Sequence, residues 1–139
     1  MFTIRQSELD DCEAVFVLAK QFASSFAVER AAFDKSYTVL QQSSDAYLGV
    51  AADGGRVVGY VLGFDHYTFF ANGRVSWLEE IMVSEDSRRC GIGRRLMDSF
   101  ESWAKVRSSK LVALATRRAA SFYFSIGYEE SATYFRKLL

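Results

Sequence analysis

The sequence contains no proline, a single histidine and only two cysteines among its 139 residues. Two cysteines, Cys12 and Cys90, are too few for a disulfide framework, so we expect a reducing compartment. Metal sites usually need several donors, and because His66 is the only histidine we predict no metal. Without proline, the turns must be marked by glycine, asparagine and aspartate.

The chain also lacks net charge and any long apolar run. Lys plus Arg (17) equals Asp plus Glu (17), so no overall field would attract nucleic acid or an anionic membrane. No stretch reaches the roughly 18 apolar residues of a membrane span, and the first residues do not resemble a signal peptide. We therefore predict a cytoplasmic protein with no nucleic-acid or membrane partner. Its 139 residues, half of them hydrophobic, suit one domain over residues 1–139.

Hydrophobic periodicity predicts a mixture of helices and strands. Apolar residues recur at helical spacing over residues 9–26, and a less regular pattern places Phe33, Tyr37 and Leu40 on one face. Two further helices are predicted, over residues 91–106 and 118–125, the second ending at Gly127 as a left-handed cap. The predicted strands are residues 2–6, 47–52, 57–64, 75–83, 111–115 and 133–136. Asp53-Gly54-Gly55-Arg56 predicts an antiparallel hairpin between the second and third strands.

A glycine-bearing turn, Arg88-Arg89-Cys90-Gly91-Ile92-Gly93, joins the strand that ends at Val83 to the helix that follows. Glycines let a ligand approach the backbone closely, and the free N–H groups and dipole at a helix start attract anions. A Rossmann dinucleotide turn would have a third glycine where this chain has Leu96. A P-loop would continue with Gly-Lys-Ser/Thr, which is missing. The turn therefore predicts a phosphate site of another kind.

This strand–turn–helix segment resembles motif A of the GNAT superfamily of N-acetyltransferases, whose Arg/Gln-x-x-Gly-x-Gly/Ala pattern wraps the pyrophosphate of acetyl-CoA. The run from Ala120 to Tyr128, Ala-Ser-Phe-Tyr-Phe-Ser-Ile-Gly-Tyr, is similar to the family's late helix and its Tyr…Gly-Phe/Tyr signature. Two positions depart from the pattern: Arg89 and Cys90 stand where Gly and Lys or Gln are common. The Asn that often precedes the late helix is also missing, and the chain offers Thr116 and Arg117 there.

The resemblance implies an α/β fold of the α+β type, with a mixed, mostly antiparallel sheet flanked by helices on both faces. It implies a V-shaped opening between strands 75–83 and 111–115. Acetyl-CoA would be the cosubstrate, with its pantetheine arm along the backbone of the opening strand. The implied cofactor-binding residues are Ile81, Met82, Val83, Arg88, Arg89, Gly91, Ile92, Gly93 and Arg94.

Two adjacent glutamates, Glu79 and Glu80, lie within the strand before the turn, where a carboxylate is rarely buried without a partner or a role. Strand alternation predicts that they point to opposite faces. An amine with a pKa of about 10 is protonated at neutral pH, so its attack on a thioester needs a base. The resemblance implies Glu79 as that base, Glu80 as orienter or substrate anchor, and Tyr123 as the acid for the leaving thiolate. The alternative is that the glutamates form structural salt bridges and that Tyr123 packs in the core.

The predicted function is acetyl transfer from acetyl-CoA to a primary amine by direct attack in a ternary complex. One alternative is a non-catalytic acyl-CoA-binding or regulatory domain, and another is a nucleotide-binding protein. Residues 30–40 and 67–74 are expected to shape the acceptor site, and His66 is more often structural than a substrate contact. A homodimer is plausible, with the apolar pair Tyr134-Phe135 as a candidate interface.

Overall fold

The computed structural model describes residues 1–139, which form one mixed five-stranded sheet with strands in sequential order. The first three pairings are antiparallel and only the last is parallel. The strands are β1 (Phe2–Gln6), β2 (Ala46–Asp53), β3 (Arg56–Thr68), β4 (Gly73–Val83) and β5 (Val112–Ala113). The helices are α1 (Cys12–Phe22), α2 (Arg30–Gln42), α3 (Ile92–Val106) and α4 (Ala120–Ser125), with short 3-10 turns at Leu9–Asp11 and Glu85–Ser87.

The β2–β3 hairpin forms where the glycines predict it. Asp53 pairs with Arg56, so the loop has two residues, Gly54 and Gly55, with φ values of 59° and 85°. Positive φ at both loop positions gives a turn whose twist matches that of the flanking strands. Glycine adopts this conformation without steric penalty, which is why the composition of the loop could be read directly from the sequence.

Helices cover both faces of the sheet, and each face has its own core cluster. On one face α3 contributes the fully buried side chains of Leu96, Met97 and Phe100. On the other face α1 and α2 bury Val15, Leu18 and Tyr37 against β2 and β3. The predicted mixed, mostly antiparallel sheet flanked by helices on both faces is therefore confirmed.

Two predicted elements differ from the structure. The first helix ends at Phe22 instead of continuing to residue 26, because Ala23 adopts an extended conformation and two serines follow. No strand forms at residues 133–136. That segment is held by side chains: Tyr134 stacks on Trp77 with ring centroids 6.4 Å apart, and Arg136 donates a hydrogen bond to Ser25. No helix of the structure has both the length and the apolar character needed to cross a membrane.

Candidate functional site

The sheet opens between β4 and β5. Only two residue pairs join these strands, Ser76 with Val112 and Trp77 with Ala113. Beyond Trp77, β4 continues to Val83 with a hydrogen-bonded neighbour on the β3 side only. The predicted opening between these strands is therefore present.

The free edge of β4 exposes backbone groups at alternate residues. The Ser84 amide donates to the Val58 carbonyl at 2.7 Å, just past the end of the β3–β4 ladder. Alternation in an antiparallel pair then directs the backbone groups of Met82 toward β3 and those of Ile81 and Val83 toward the gap. An extended ligand could add to this edge like a strand. The Arg88 Nε already donates to the Val83 carbonyl at 3.2 Å, so this side chain lies back along β4.

The glycine turn places unpaired N–H groups at the start of α3. Gly91 has φ 80° and ψ 10°, and Arg89 also has a positive φ of 66°. The first backbone bond of α3 runs from the Arg95 amide to the Gly91 carbonyl at 3.1 Å, and no side chain caps the helix. The amides of Ile92, Gly93 and Arg94 are consequently free to bind an anion. The sequence prediction of an anion-binding geometry at this turn fits these contacts.

A β-bulge at Glu79 changes the direction of the two glutamates. Leu62 pairs with Glu80 and Gly63 pairs with Leu78, which leaves Glu79 as an extra residue on β4. Because the bulge interrupts strand alternation, Glu79 and Glu80 line the same cavity, on the α1–α2 side of the sheet. The prediction that they point to opposite faces is wrong for this reason.

The two carboxylates have different surroundings. Glu80 accepts a 2.7 Å hydrogen bond from the hydroxyl of Tyr60, a β3 side chain that is only 1% exposed. Burial raises the pKa of Glu80, and the charge of Glu79 raises it further, while the Tyr60 hydrogen bond acts in the opposite direction. Glu79 is exposed and forms no hydrogen bond or salt bridge with its side chain. Sequence reasoning missed Tyr60, whose only signal was a phenol within a buried strand.

The cavity beside the glutamates has a volume of about 870 Å³ and mostly apolar walls. Its walls are the end of α1, the α1–α2 loop, α2, strands β3 and β4, residues 115–119 and Arg136. Of the two segments expected to shape an acceptor site, α2 lines this cavity, and residues 67–74 do not. The latter form the β3–β4 turn, where the Phe69 side chain is fully exposed, and His66 also lies outside the cavity.

Tyr123 lies on the opposite face of the sheet from the glutamates. It is 8% exposed, belongs to the core cluster beneath α3, and packs edge-to-face on Phe122 and Tyr128 at 5.0 and 5.8 Å. Burial raises the pKa of its phenol, which therefore stays protonated at neutral pH. The structure does not bring Tyr123 into the cavity that holds the glutamates.

The loop before α4 is closed by a threonine. The Thr116 Oγ1 accepts a 3.0 Å hydrogen bond from the Ala119 amide. A threonine therefore fixes this loop at the position where the resemblance would place an asparagine. No group of three or more His, Cys, Asp or Glu side chains is arranged to hold a metal ion.

Comparison with known proteins identifies the family. A family model described as the acetyltransferase (GNAT) family matches residues 10–128. The fold, the gap and the glycine turn are those of the acetyltransferase fold, and the chain belongs to the GNAT acetyltransferase family. The family membership predicted from motif A is therefore confirmed. None of the curated protein sequences matches the chain.

Solved structures show the same fold at low sequence identity. A transcriptional regulator from Bacillus halodurans is 19% identical with a TM-score of 0.90, and the match covers 100% of both chains. Glucosamine-6-phosphate N-acetyltransferase from Arabidopsis thaliana is 19% identical with a TM-score of 0.88, over 99% of this chain and 98% of that one. AAC(6')-Iy was solved with the bisubstrate analogue CoA-S-monomethyl-acetylneamine. It is 19% identical with a TM-score of 0.83, and the match covers 100% of this chain and 99% of that one.

Proposed function

We propose that the protein transfers an acetyl group from acetyl-CoA to a primary amine by direct attack in a ternary complex. The observation that supports this most is the gap between β4 and β5 beside the glutamate-lined cavity on the α1–α2 face of the sheet. Tyr123 lies on the other face, in the core beneath α3. An acyl donor lying in the gap would present its thioester to an acceptor in the cavity. The neighbour solved with a CoA bisubstrate analogue is consistent with such a complex.

The cofactor would be bound mainly by backbone. Its pyrophosphate would accept hydrogen bonds from the amides of Ile92, Gly93 and Arg94, with Gly91 providing close approach and Arg88 and Arg89 adding charge. Its pantetheine arm would pair with the outward groups of Ile81 and with the Val83 amide, since the Val83 carbonyl already accepts a hydrogen bond from Arg88. Met82 would contribute by fixing β4 to β3, since its own backbone faces that strand.

The chemistry requires a base and an acid on opposite sides of the thioester. Glu79 would take a proton from the acceptor ammonium, directly or through water, and Glu80, held by Tyr60, would anchor the amine. The free amine then attacks the carbonyl carbon, and the nitrogen loses its second proton to water. The C–S bond breaks as the amide forms, and the CoA thiolate takes the phenolic proton of Tyr123.

The decisive experiment combines acetyl-CoA binding with turnover. The purified protein is mixed with acetyl-CoA and a broad panel of primary amines, and release of the CoA thiol is measured. We expect acetylation of at least one amine. Tight acetyl-CoA binding with no turnover on any amine would support a non-catalytic acyl-CoA-binding domain. Thermal stabilisation by ATP or NAD without stabilisation by acetyl-CoA would support a nucleotide-binding protein.

Replacing Tyr123 with phenylalanine should lower kcat by about 10²-fold, because the leaving thiolate loses its proton donor. The Kd for acetyl-CoA, measured by calorimetry, should stay unchanged, since the ring and its packing are retained. Tyr128→Phe is the matched control: its hydroxyl donates to Glu101 at 2.7 Å, away from the gap. An equal loss of kcat in both variants would assign Tyr123 to core packing.

Gly91→Ala should weaken acetyl-CoA binding several-fold more than Gly93→Ala. Alanine at a φ of 80° costs about 1 kcal/mol and disturbs the turn that aligns the free amides. A Cβ on Gly93 would lie 3.5 Å from Phe122, an ordinary van der Waals contact, and alanine suits a helical position. Calorimetric Kd values and urea unfolding curves of both variants test this, and equal Kd values would contradict it.

We further propose a cytoplasmic location and a homodimer. Both cysteines are free, as in proteins of reducing compartments. Both residues of the predicted interface pair, Tyr134 and Phe135, are exposed, although one side of the Tyr134 ring stacks on Trp77, and a second copy would cover them. A mass measurement in solution at micromolar concentration tests the dimer, and a monomer would rule it out at that concentration.

A further inference from the structure

The cavity beside β4 contains unpaired charges of both signs. Three arginines line it, Arg117, Arg118 and Arg136, and none of them forms a salt bridge. Three carboxylates also line it, Glu29, Glu79 and Glu80, and these too lack an ion pair. All of these side chains except Glu80 are exposed, so the charges are solvated and, having no ion-pair partner, are available to a ligand.

Arg136 is the most firmly placed of these arginines. It lies in the C-terminal segment that crosses the α1–α2 face, where Tyr134 stacks on Trp77 of β4. Its Nη1 donates a 3.0 Å hydrogen bond to the Ser25 hydroxyl in the α1–α2 loop, and Ser25 also lines the cavity. Guanidinium carries five N–H donors, so most remain free after this bond. The guanidinium is exposed and lies on a different wall of the cavity from Glu79 and Glu80.

We propose that the acceptor carries an anionic group, a carboxylate or a phosphate, in addition to its primary amine, and that Arg136 binds this anion. This inference rests on the proposed acetyl transfer. The amine faces the two β4 glutamates while the anion forms charge-assisted, forked hydrogen bonds with the guanidinium. The apolar side chains Phe22, Phe26 and Phe33 enclose the part of the acceptor between its charged ends. A purely cationic acceptor could pair with the carboxylates of the cavity but would leave its three arginines without an anionic partner.

Matched pairs of acceptors test this proposal. One arm compares dipeptides with their C-terminal amides, and the other compares amino-sugar phosphates with the free amino sugars. Each compound is assayed for kcat/KM with saturating acetyl-CoA, and for binding by calorimetry in the presence of CoA. In at least one arm we expect the anionic compound to have a kcat/KM about tenfold or more above that of its neutral partner. The arm in which this occurs shows whether the anion is a carboxylate or a phosphate.

Arg136→Gln should abolish this preference and leave the Kd for acetyl-CoA unchanged. Lys137→Gln is the matched control, because it removes one positive charge from the next residue of the same segment, outside the cavity. A preference that survives in Arg136→Gln, or that Lys137→Gln also removes, would overturn the proposal. So would equal binding of charged and neutral members in both arms, or no binding of any anionic member.

The calorimetric readout separates this inference from the proposed function. Preferential, Arg136-dependent binding of an anionic amine without acetylation would retain the anion subsite and reject the transferase activity. Acetylation of neutral amines with no anionic preference would retain the transferase and reject the subsite.

Discussion

Replacing Gly63 with alanine should destabilise the protein by about 3 kcal/mol, at the upper end of the range for overpacked cores. A Cβ at this position would lie 2.3 and 2.4 Å from two ring atoms of Phe100 and 2.8 Å from the Trp77 carbonyl oxygen. Phe100 is 0% exposed and stacks on Trp103 with centroids 5.7 Å apart, so its ring has no free space to enter. Urea unfolding of the purified variant measures the loss.

A double-mutant cycle assigns the loss to this contact. Phe100→Leu alone should destabilise through the cavity it creates, but in combination with Gly63→Ala the smaller side chain leaves room for the new methyl group. We therefore expect the double variant to be more stable than the sum of the two single changes predicts. The packing seen at Gly63 would be contradicted if Gly63→Ala were as stable as the wild type. It would also be contradicted if the effects of the two substitutions on the free energy of unfolding were strictly additive.

Gly63 also lies next to the candidate active site, so a substitution there should affect activity as well as stability. It pairs with Leu78, directly beside the bulge that turns Glu79 into the cavity. The close approach of α3 through Phe100 fixes the sheet at this position. Displacing β3 from β4 here would shift the glutamates, so any folded Gly63→Ala protein should also lose kcat.

The fold was predictable where a local conformation demands a particular residue. The β2–β3 turn needs positive φ at two positions and has Gly54 and Gly55 there. The turn before α3 needs positive φ at its last position and has Gly91. Helix α3 has a strong apolar face over four turns, and the parallel partner of β4 is a short apolar run. Each of these signals lies within a short stretch of sequence.

Features that depend on pairing between distant segments were not predictable. The bulge at Glu79 is defined by the register of β4 against β3, and alternation within β4 alone gives the wrong face. The cavity is assembled from segments far apart in the chain, including α2, the loop before α4 and Arg136. Residues 133–136 have strand-like composition but pack through Tyr134 and Arg136 instead of joining the sheet.

Replacing Glu79 with glutamine should lower kcat by about 10³-fold if it is the base that deprotonates the acceptor. Its side chain is exposed at the bulge and unpaired, so the substitution removes a proton acceptor with little structural consequence. Glu80→Gln should act differently. Glutamine can keep the hydrogen bond from Tyr60 but loses the charge that we propose anchors the ammonium, so the acceptor KM should rise about tenfold or more.

The pH dependence of these variants distinguishes the two roles. Glu80 has a raised pKa, so its charge is lost as the pH falls through that raised value, and the acceptor KM should rise in the same range. Tyr60→Phe removes the hydrogen bond that lowers the Glu80 pKa, so the rise in KM should begin at a higher pH. Glu79→Gln removes a neighbouring charge that raises the Glu80 pKa, so the rise in acceptor KM, measured from the residual activity of this variant, should begin at a lower pH.

If the pH at which the acceptor KM rises shifts upward in Tyr60→Phe and downward in Glu79→Gln, the titrating group is Glu80, and Glu80 is the anchoring carboxylate. If Glu80→Gln instead abolishes kcat while Glu79→Gln changes it less than tenfold, the roles are reversed and Glu80 is the base. That result would also be chemically consistent, because a carboxylate with a raised pKa is a stronger proton acceptor. The Tyr60 hydrogen bond would then hold the base in position, and Tyr60→Phe would lower kcat with little change in acceptor KM. Whether kcat or the acceptor KM changes more in each of these three variants therefore decides which carboxylate takes the proton.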